Sequence, residues 1–239
     1  RDPHHEDAQN STPFVVDQRD TFLKIAINNF VWGQYGIANV TTNGNGIILL
    51  SMNGRTERYN MSRNGTYDND TKLYNILIPF DELYDPGNYT MSVVYYGDDY
   101  YKYALNQTNF TVYKQNTTIN ATPINITYGE NEIINVTVNN TATGYIALII
   151  ENQIYVSIID NGTAKFNITG LAAGRYNATL TFPGDIHFNS NTTNITFKVN
   201  ATDKYTFDVK VDDIYHPENA TVRVLLDTSA TGNVTIYIS

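Results

Sequence analysis

The sequence predicts an all-β fold of tandem immunoglobulin-like Greek-key β-sandwiches, and three repeated signals predict it. The first signal is a leucine, then Gly-x-Tyr beginning three or four residues later, then Gly-Asp ten residues after the first glycine. It occurs twice within the 239 residues. The first copy is Leu83, Gly87, Tyr89, Gly97 and Asp98, and the second is Leu171, Gly174, Tyr176, Gly184 and Asp185.

In each copy the tyrosine follows a glycine turn and opens a run of alternating apolar residues, which ends at Tyr95 or Phe182. A tyrosine at this place is typical of a tyrosine corner at the start of strand F, where its hydroxyl bonds to turn backbone. We therefore predict tyrosine corners at Tyr89 and Tyr176.

The other two signals lie upstream. An aromatic residue stands five residues before a different alternating run, which begins at Ile37, Ile133 or Ala220. A Thr/Asn/Gly turn follows this run, and a further apolar run follows the turn. The repeat length is about 90 residues, which suits one sandwich per copy. We expect each aromatic to plug the end of its sandwich where strand A passes to strand B. These aromatics are Trp32, Tyr128 and Tyr215.

The spacing predicts an N-terminal extension over 1–20, in which Phe14-Val15-Val16 would form a short edge strand. It then predicts complete sandwiches over 21–114 and 115–200 and a partial third over 201–239. Each complete copy should have seven strands, with A, B, E and D in one sheet and C, F and G in the other. The second copy's strands are expected at 118–127, 132–138, 144–150, 154–159, 163–168, 175–182 and 192–199.

The third copy has only the runs 204–211, 219–226 and 233–239, which correspond to strands A, B and C. Truncation of a longer repeat array is the preferred explanation. Completion by another chain or by the N-terminal extension is the alternative.

These repeated motifs together resemble the bacterial-type Ig-like repeats of large adhesin-like surface proteins, notably those of methanogenic archaea. The resemblance spans about residues 20–239. It departs at His216-Pro217, where the first two copies have glycine followed by glutamine or glutamate. It implies a cell-surface, extracellular protein that contacts a protein or glycan on another cell, beside neighbouring repeats of its own chain.

Composition narrows the function classes. There is no cysteine, so the chain has no disulfide or thiolate site. The net charge is −9 and no basic stripe occurs, which disfavours nucleic acid as a partner. No run of eighteen apolar residues is present, so we expect no membrane span in this segment. The first residues lack the features of a signal peptide, so an export signal or anchor is expected to lie elsewhere.

Asn-x-Ser/Thr sequons are dense, and on a strand their Asn and Thr share one face. They predict N-glycosylation of an exported protein. Alternatively, outward-facing strand positions rich in Asn and Thr produce sequons by accident. The selected candidates are Asn39, Asn60, Asn64, Asn69, Asn88, Asn106, Asn116, Asn135, Asn161, Asn177, Asn194 and Asn219.

Nineteen tyrosines are present, and several follow the first corner. Exposed rings beside polar residues are typical of sugar- or protein-binding surfaces. The alternative is packing against the strand F to G turn. The candidate ligand contacts are Tyr96, Tyr100, Tyr101 and Tyr103.

No cofactor is expected. Acidic loop residues make calcium a weaker alternative, but the Asp98 and Asp185 positions are better explained as turn-shaping residues that bond nearby backbone N–H groups. No catalytic motif occurs, so we expect no enzyme. The other acidic candidates are Asp81, Glu82, Asp85, Asp99, Asp212 and Asp213.

The resulting hypothesis is a segment of a cell-surface adhesin-like protein whose Ig-like repeats act as a stalk, a binding module or both. The alternative is a surface-layer-type envelope protein that self-associates through strand edges. A carbohydrate-active enzyme accessory module is a more distant alternative.

Overall fold

A computed structural model describes residues 3–4, 9–80, 84–203, 206–228 and 230–237. Its regular structure is almost entirely β. The chain divides into two compact units. The first comprises Arg1–Asn116 with the short segment Ile186–Asn189, and the second comprises Thr117–Asp185 with Ser190–Ser239.

The first unit contains a sandwich of nine strands and one short helix among its described residues. Strands β1, β3, β7 and β6 form one sheet, and β2, β9, β8, β4 and β5 form the other. The bounds are β1 Leu23–Ile27, β2 Phe30–Val31, β3 Ile37–Thr42, β4 Ile47–Met52, β5 Arg55–Asn60, α1 Met61–Asn64, β6 Thr66–Asp68, β7 Leu73–Pro79, β8 Gly87–Tyr95 and β9 Ala104–Tyr113.

Period-two alternation on these strands sends one face of each sheet into a single core. All neighbouring strands are antiparallel except β2, which runs parallel to β9. The order corresponds to A, B, E, D in one sheet and A′, G, F, C, C′ in the other, as in immunoglobulin-like domains. The core includes Ala38, Val40, Ile48, Leu50, Ile76, Ile78, Met91, Val93, Tyr95, Phe110 and Val112.

The second unit repeats this plan without strand D. Strands β10, β12 and β15 form one sheet, and β11, β17, β16, β13 and β14 form the other. The bounds are β10 Asn120–Thr122, β11 Ile126–Thr127, β12 Glu132–Thr137, β13 Tyr145–Ile150, β14 Gln153–Ile158, β15 Thr163–Ile168, β16 Gly174–Phe182 and β17 Asn191–Asn200.

The expected seven-strand plan is wrong in two respects. The fourth strand pairs with strand C in the F and G sheet, so it is C′ rather than D. The expected A strand, 118–127, is split into β10 and β11, which belong to different sheets. The physical reason for the first difference is the two-residue turn before each C′ strand. In both turns the two residues have positive φ, which is typical of a hairpin.

The third copy forms only a hairpin of β18 (Phe207–Val211) and β19 (Val222–Leu226). Most of its side chains are exposed, and the predicted strand at 233–239 is absent from 233–237. The described residues of this copy form no second sheet that could cover an apolar face. Residues 233–237 therefore have no sheet to pack against, which explains why they do not form a strand. Residues 204, 205, 238 and 239 lie outside the described part.

The structure also corrects the alignment of the aromatic plugs. Glu218 Oε2 accepts the Tyr215 amide over 3.1 Å, just as Glu130 Oε2 accepts the Thr127 amide over 2.7 Å. His216, not Tyr215, is therefore the equivalent of Trp32 and Tyr128. Trp32 packs against the first core as predicted.

The other two aromatics do not act as plugs. Tyr128 is 40% exposed and Tyr215 is 81% exposed. Neither ring fills the end of a sandwich.

At the end of strand A the two sandwiches differ in which of two facing residues is the larger. The first has Phe30 facing Gly36, and the second has Ile126 facing Glu132. A Cβ atom on Gly36 would lie 2.3 Å from the Phe30 ring, so glycine is required there. Glu132 occupies the equivalent place opposite the smaller Ile126 and is completely buried. Its Oε1 accepts the Ile124 amide over 3.0 Å, whereas Oε2 has no partner among the described residues.

Candidate ligand-contact surface

The turn from β8 to β9 in the first sandwich is organised by Asp98. Its Oδ1 accepts the amides of Tyr100 and Tyr101 over 2.8 and 2.7 Å. Its Oδ2 accepts the buried Tyr95 hydroxyl over 2.6 Å. Gly97 has φ +85°, and a Cβ there would meet the Tyr101 carbonyl oxygen at 2.9 Å. The predicted turn-shaping role of Asp98 is confirmed.

These hydrogen bonds also set the charge of the turn. Burial alone raises the pKa of Asp98, but the donors from Tyr95, Tyr100 and Tyr101 outweigh it, so the net pKa lies below its ordinary value. Burial, followed by the bond to Asp98, raises the pKa of the Tyr95 hydroxyl. The pair is thus a neutral tyrosine donating to an ionised carboxylate, which is a strong hydrogen bond.

The N-terminal segment holds the other side of the turn. The Arg19 amide donates to the Tyr100 carbonyl over 2.8 Å, and the Lys102 amide donates to the Arg19 carbonyl over 3.0 Å. Lys102 also pairs with Asp20 over 2.8 Å. Residues 18–21 therefore pair with the first sandwich, although the sequence assigns most of them to an extension.

The apolar triplet Phe14–Val16 behaves differently from the prediction of an edge strand. Each of its residues is 83% exposed and forms no strand. The backbone pairing falls instead on Arg19, which forms a parallel bridge with Tyr101.

Three of the four candidate tyrosines are displayed to solvent. Tyr96 is 60% exposed, Tyr100 is 71% exposed and Tyr103 is 59% exposed. Tyr101 departs from the prediction of an exposed ligand contact, because it is partly buried and packs against the first core. The fold of the turn around Asp98 directs this ring inward.

The register of the hairpin places two of these tyrosines at adjoining positions of neighbouring strands. Tyr95 pairs with Ala104, and one further step places Tyr96 opposite Tyr103. The preceding outward pair adds Leu105, which is 53% exposed and which we did not predict. The sequence signal for its exposure is its position two residues before the polar Gln107, because alternate residues of a strand share one face.

The equivalent turn of the second sandwich keeps an aromatic ring at only one of these positions, since His187 stands where Tyr100 stands and Ser190 stands where Tyr103 stands. Pro183 and Thr192 stand where Tyr96 and Leu105 stand in the first. Asp185 again shapes the loops, but its Oδ2 accepts the Thr143 amide over 2.8 Å and the Thr143 hydroxyl over 3.1 Å. The exposed rings of Tyr96 and Tyr103 are therefore features of the first sandwich, whereas an aromatic ring at the position of Tyr100 occurs in both.

The two predicted corner tyrosines lie at the opposite end of their strands. The Tyr89 hydroxyl donates to the Asp85 carbonyl over 2.7 Å, and the Tyr176 hydroxyl donates to the Ala172 carbonyl over 2.8 Å. Tyr176 is buried, whereas Tyr89 is partly exposed. Both bonds reach back to backbone four residues upstream, as expected for a tyrosine corner.

Many sequons coincide with polar rungs across the outward face of strands F and G. The Thr111 hydroxyl donates to Asn88 Oδ1 over 2.8 Å, and the Thr90 hydroxyl donates to Asn109 Oδ1 over 2.8 Å. The two sequons thus bond each other reciprocally. Thr179 and Asn194 form the same rung in the second sandwich. Cross-strand pairing of this kind stabilises a sheet and gives a structural reason for the Asn-x-Thr repetition.

The candidate asparagines differ in accessibility. Asn39, Asn60 and Asn106 are partly buried, and Asn106 Nδ2 donates to the Leu23 carbonyl over 2.7 Å. The exposed candidates are Asn64, Asn69, Asn88, Asn116, Asn135, Asn161, Asn177, Asn194 and Asn219.

The described residues contain no group of three or more His, Asp or Glu side chains arranged to hold a metal ion. Asp81 and Glu82, candidates for calcium, lie outside that part of the chain. Asp85 instead contacts His187, 2.9 Å away within the first unit. No helix in the described ranges is long and apolar enough to cross a membrane.

No protein-family model and no curated protein matches the chain. Solved structures with similar strand arrangements include the titin domains Z1Z2 in complex with telethonin. That match has a TM-score of 0.38 and 10% identity, and it covers 78% of this chain and all of the other. Fibronectin(III)-like modules of Clostridium thermocellum CbhA give a TM-score of 0.31 and 10% identity, over 74% of this chain and 95% of theirs.

Dimeric latent PorU from Porphyromonas gingivalis gives a TM-score of 0.32 and 13% identity over 76% of this chain. The chain spans only 20% of PorU. The strand order of the two sandwiches, rather than these scores, makes the fold immunoglobulin-like.

Proposed function

We propose that this chain is a segment of a cell-surface adhesin-like protein, in which the aromatic turn of the first sandwich contacts a protein or glycan on another cell. The Ig-like repeats space this surface from the cell that carries it. The observation that carries the proposal is the display of Tyr96, Tyr100 and Tyr103 on a turn held by Asp98 and by the N-terminal segment.

The physical argument is pre-organisation. A tyrosine ring supplies a large contact area with few rotatable bonds, and a rigid turn lowers the entropy lost on binding. The hydroxyls add hydrogen bonding to sugar or peptide groups. The contrast with the second sandwich supports a specialised role for Tyr96 and Tyr103, because Pro183 and Ser190 stand at the equivalent positions there.

The proposal places the protein outside the cell and has it bind rather than catalyse. The exposed sequons support an exported glycoprotein, with glycans on strand faces. Mass spectrometry of the protein from its native source tests their use, since occupied sites add glycan mass to the corresponding peptides.

A glycan array and a cell-binding screen test the proposed ligand contact. We expect binding by the wild type and at least roughly tenfold weaker binding when Tyr96, Tyr100 and Tyr103 are all changed to alanine. A matched triple variant at exposed tyrosines elsewhere, Tyr35, Tyr128 and Tyr237, should bind normally. Equal loss in both triple variants, or in neither, would contradict the proposal.

A further inference from the structure

The outward face of strands β13 and β14 in the second sandwich is apolar, although it faces solvent. Ile154, Val156 and Ile158 are 67%, 60% and 71% exposed, respectively. On the neighbouring strand Tyr145 and Ile149 are 42% and 38% exposed. Monomeric proteins seldom leave a contiguous apolar patch on an edge strand, because such edges pair with other chains.

The first sandwich provides an internal comparison. The registers β4 with β5 and β13 with β14 make Thr56, Arg58 and Asn60 the equivalents of these three apolar residues. The same edge is therefore polar and charged in one sandwich and apolar in the other. Strand β14 has no charged residue over its whole length, whereas β5 has three.

The backbone of β14 is also available along its free edge. The turn before it, Glu151 and Asn152, has φ values of 47° and 68°, as in a type I′ hairpin. The pair that closes such a turn is hydrogen-bonded, and hydrogen-bonded pairs alternate along the ladder. The N–H and C=O groups of Ile154, Val156 and Ile158 therefore point away from β13, along the free edge.

We propose that two copies of this chain associate by antiparallel pairing of β14 with β14. A two-fold axis at Val156 places Val156 opposite Val156 and Ile154 opposite Ile158. Every hydrogen-bonded pair between the two copies is then apolar. Ile154, Val156 and Ile158 of both copies lie on the same face of the joined sheet. The same operation on β5 places Arg58 opposite Arg58, where like charges repel. The first sandwich is protected from this pairing and the second is not.

The association is weak in solution. A single pair of short strands buries less than the roughly 1,200 Å² of a standard interface, so dissociation constants of about 10 µM or above are expected. Repeated copies on a surface strengthen such contacts through high effective concentration. This goes beyond the proposed ligand contact and supplies the strand edge by which an envelope protein would self-associate.

Sedimentation equilibrium from about 10 µM to about 1 mM tests the pairing. We expect dimers of the wild type and at least a tenfold loss of affinity for Val156→Arg. This substitution reduces the net negative charge, so loss of association would run against the general charge effect. Thr56→Arg adds the same charge at the position equivalent to Ile154 in the first sandwich and should dimerise normally. Unchanged melting of Val156→Arg shows that it folds.

Single cysteines test the register, because the chain has none of its own. Opposed hydrogen-bonded residues lie about 5.5 Å apart, within reach of a disulfide. Val156→Cys should therefore cross-link rapidly on mild oxidation, and Ile154→Cys and Arg58→Cys should cross-link slowly. Equal rates for all three, or a wild type that stays monomeric throughout, would overturn self-pairing.

Discussion

The hydroxyl of Tyr95, a fully buried residue, donates a 2.6 Å hydrogen bond to Asp98 three residues later. The ring lies beneath the turn between β3 and β4, where a Cβ on Gly44 would come within 2.3 Å of it. One buried side chain thus joins the core to the turn that carries the exposed tyrosines.

Asp98→Ala should loosen this turn. It removes the acceptor of two backbone amides and of the Tyr95 hydroxyl proton, so we expect a loss of about 1–3 kcal/mol in unfolding free energy. Urea unfolding of the first sandwich measures this loss. Asp99→Ala, at the adjacent exposed position, is the control and should change the free energy little.

The same residue predicts a dependence on acid. Because the folded pKa of Asp98 is lowered, the contribution of its carboxylate to the stability of the fold is fully present above the unfolded pKa of 3.8 and is lost as pH falls through the folded pKa. The melting temperature of the first sandwich should fall as pH falls over that interval. Asp98→Asn should reduce the slope of melting temperature against pH. An identical slope in both proteins would contradict this role.

Glu132 predicts the opposite trend for the second sandwich. Burial raises its pKa, so the folded state binds the extra proton at pH values just above the ordinary value of 4.5. Stability should therefore fall as pH rises from that value through the raised pKa. Calorimetry should show a higher melting temperature near pH 5 than near pH 7, and Glu132→Gln should abolish this difference. A wild-type curve that is flat over this interval would exclude the effect.

Removal of the corner hydroxyls tests the strand F assignment. Tyr89→Phe and Tyr176→Phe each lose one bond to a turn carbonyl, which costs on the order of 1 kcal/mol. We expect the larger cost at Tyr176, where less water reaches the unpaired carbonyl. Denaturant unfolding measures both, and a neutral result at Tyr176 would argue against the corner.

Trp32→Ala should destabilise the first unit by about 3–5 kcal/mol. Besides its core contacts, the ring stacks on His187 at a centroid distance of 3.9 Å and meets Phe188 edge-on at 5.8 Å. Tyr35→Ala, nearby and 71% exposed, is the control. An unchanged calorimetric transition for Trp32→Ala would show that the ring does not stabilise the unit.

Local signals in the sequence were sufficient for much of the fold. Tyr89 and Tyr176 stand at the starts of strands F because a glycine turn followed by alternation has few other solutions. Asp98 was predictable for a similar reason, since a short carboxylate after glycine bonds the next amides.

Other features depended on long-range geometry. The sheet that receives the fourth strand depends on the hairpin before it. Asn53-Gly54 was the available signal in the first sandwich, whereas Glu151-Asn152 is a weaker one. The inward course of Tyr101 could not be read from alternation, because the Asp98 turn breaks the period. The apolar edge of β14 became apparent only when its register was compared with that of β5.

The most direct test of the central claim is a ¹⁵N NMR titration of the chain with a ligand identified in the binding screen. If the aromatic turn is the contact surface, the largest amide shifts will fall on residues 96–103 and on Arg19 and Asp20, which pair with them. The shifts should vanish in the variant with alanine at Tyr96, Tyr100 and Tyr103. Shifts confined to other residues, with this turn unperturbed, would contradict the account.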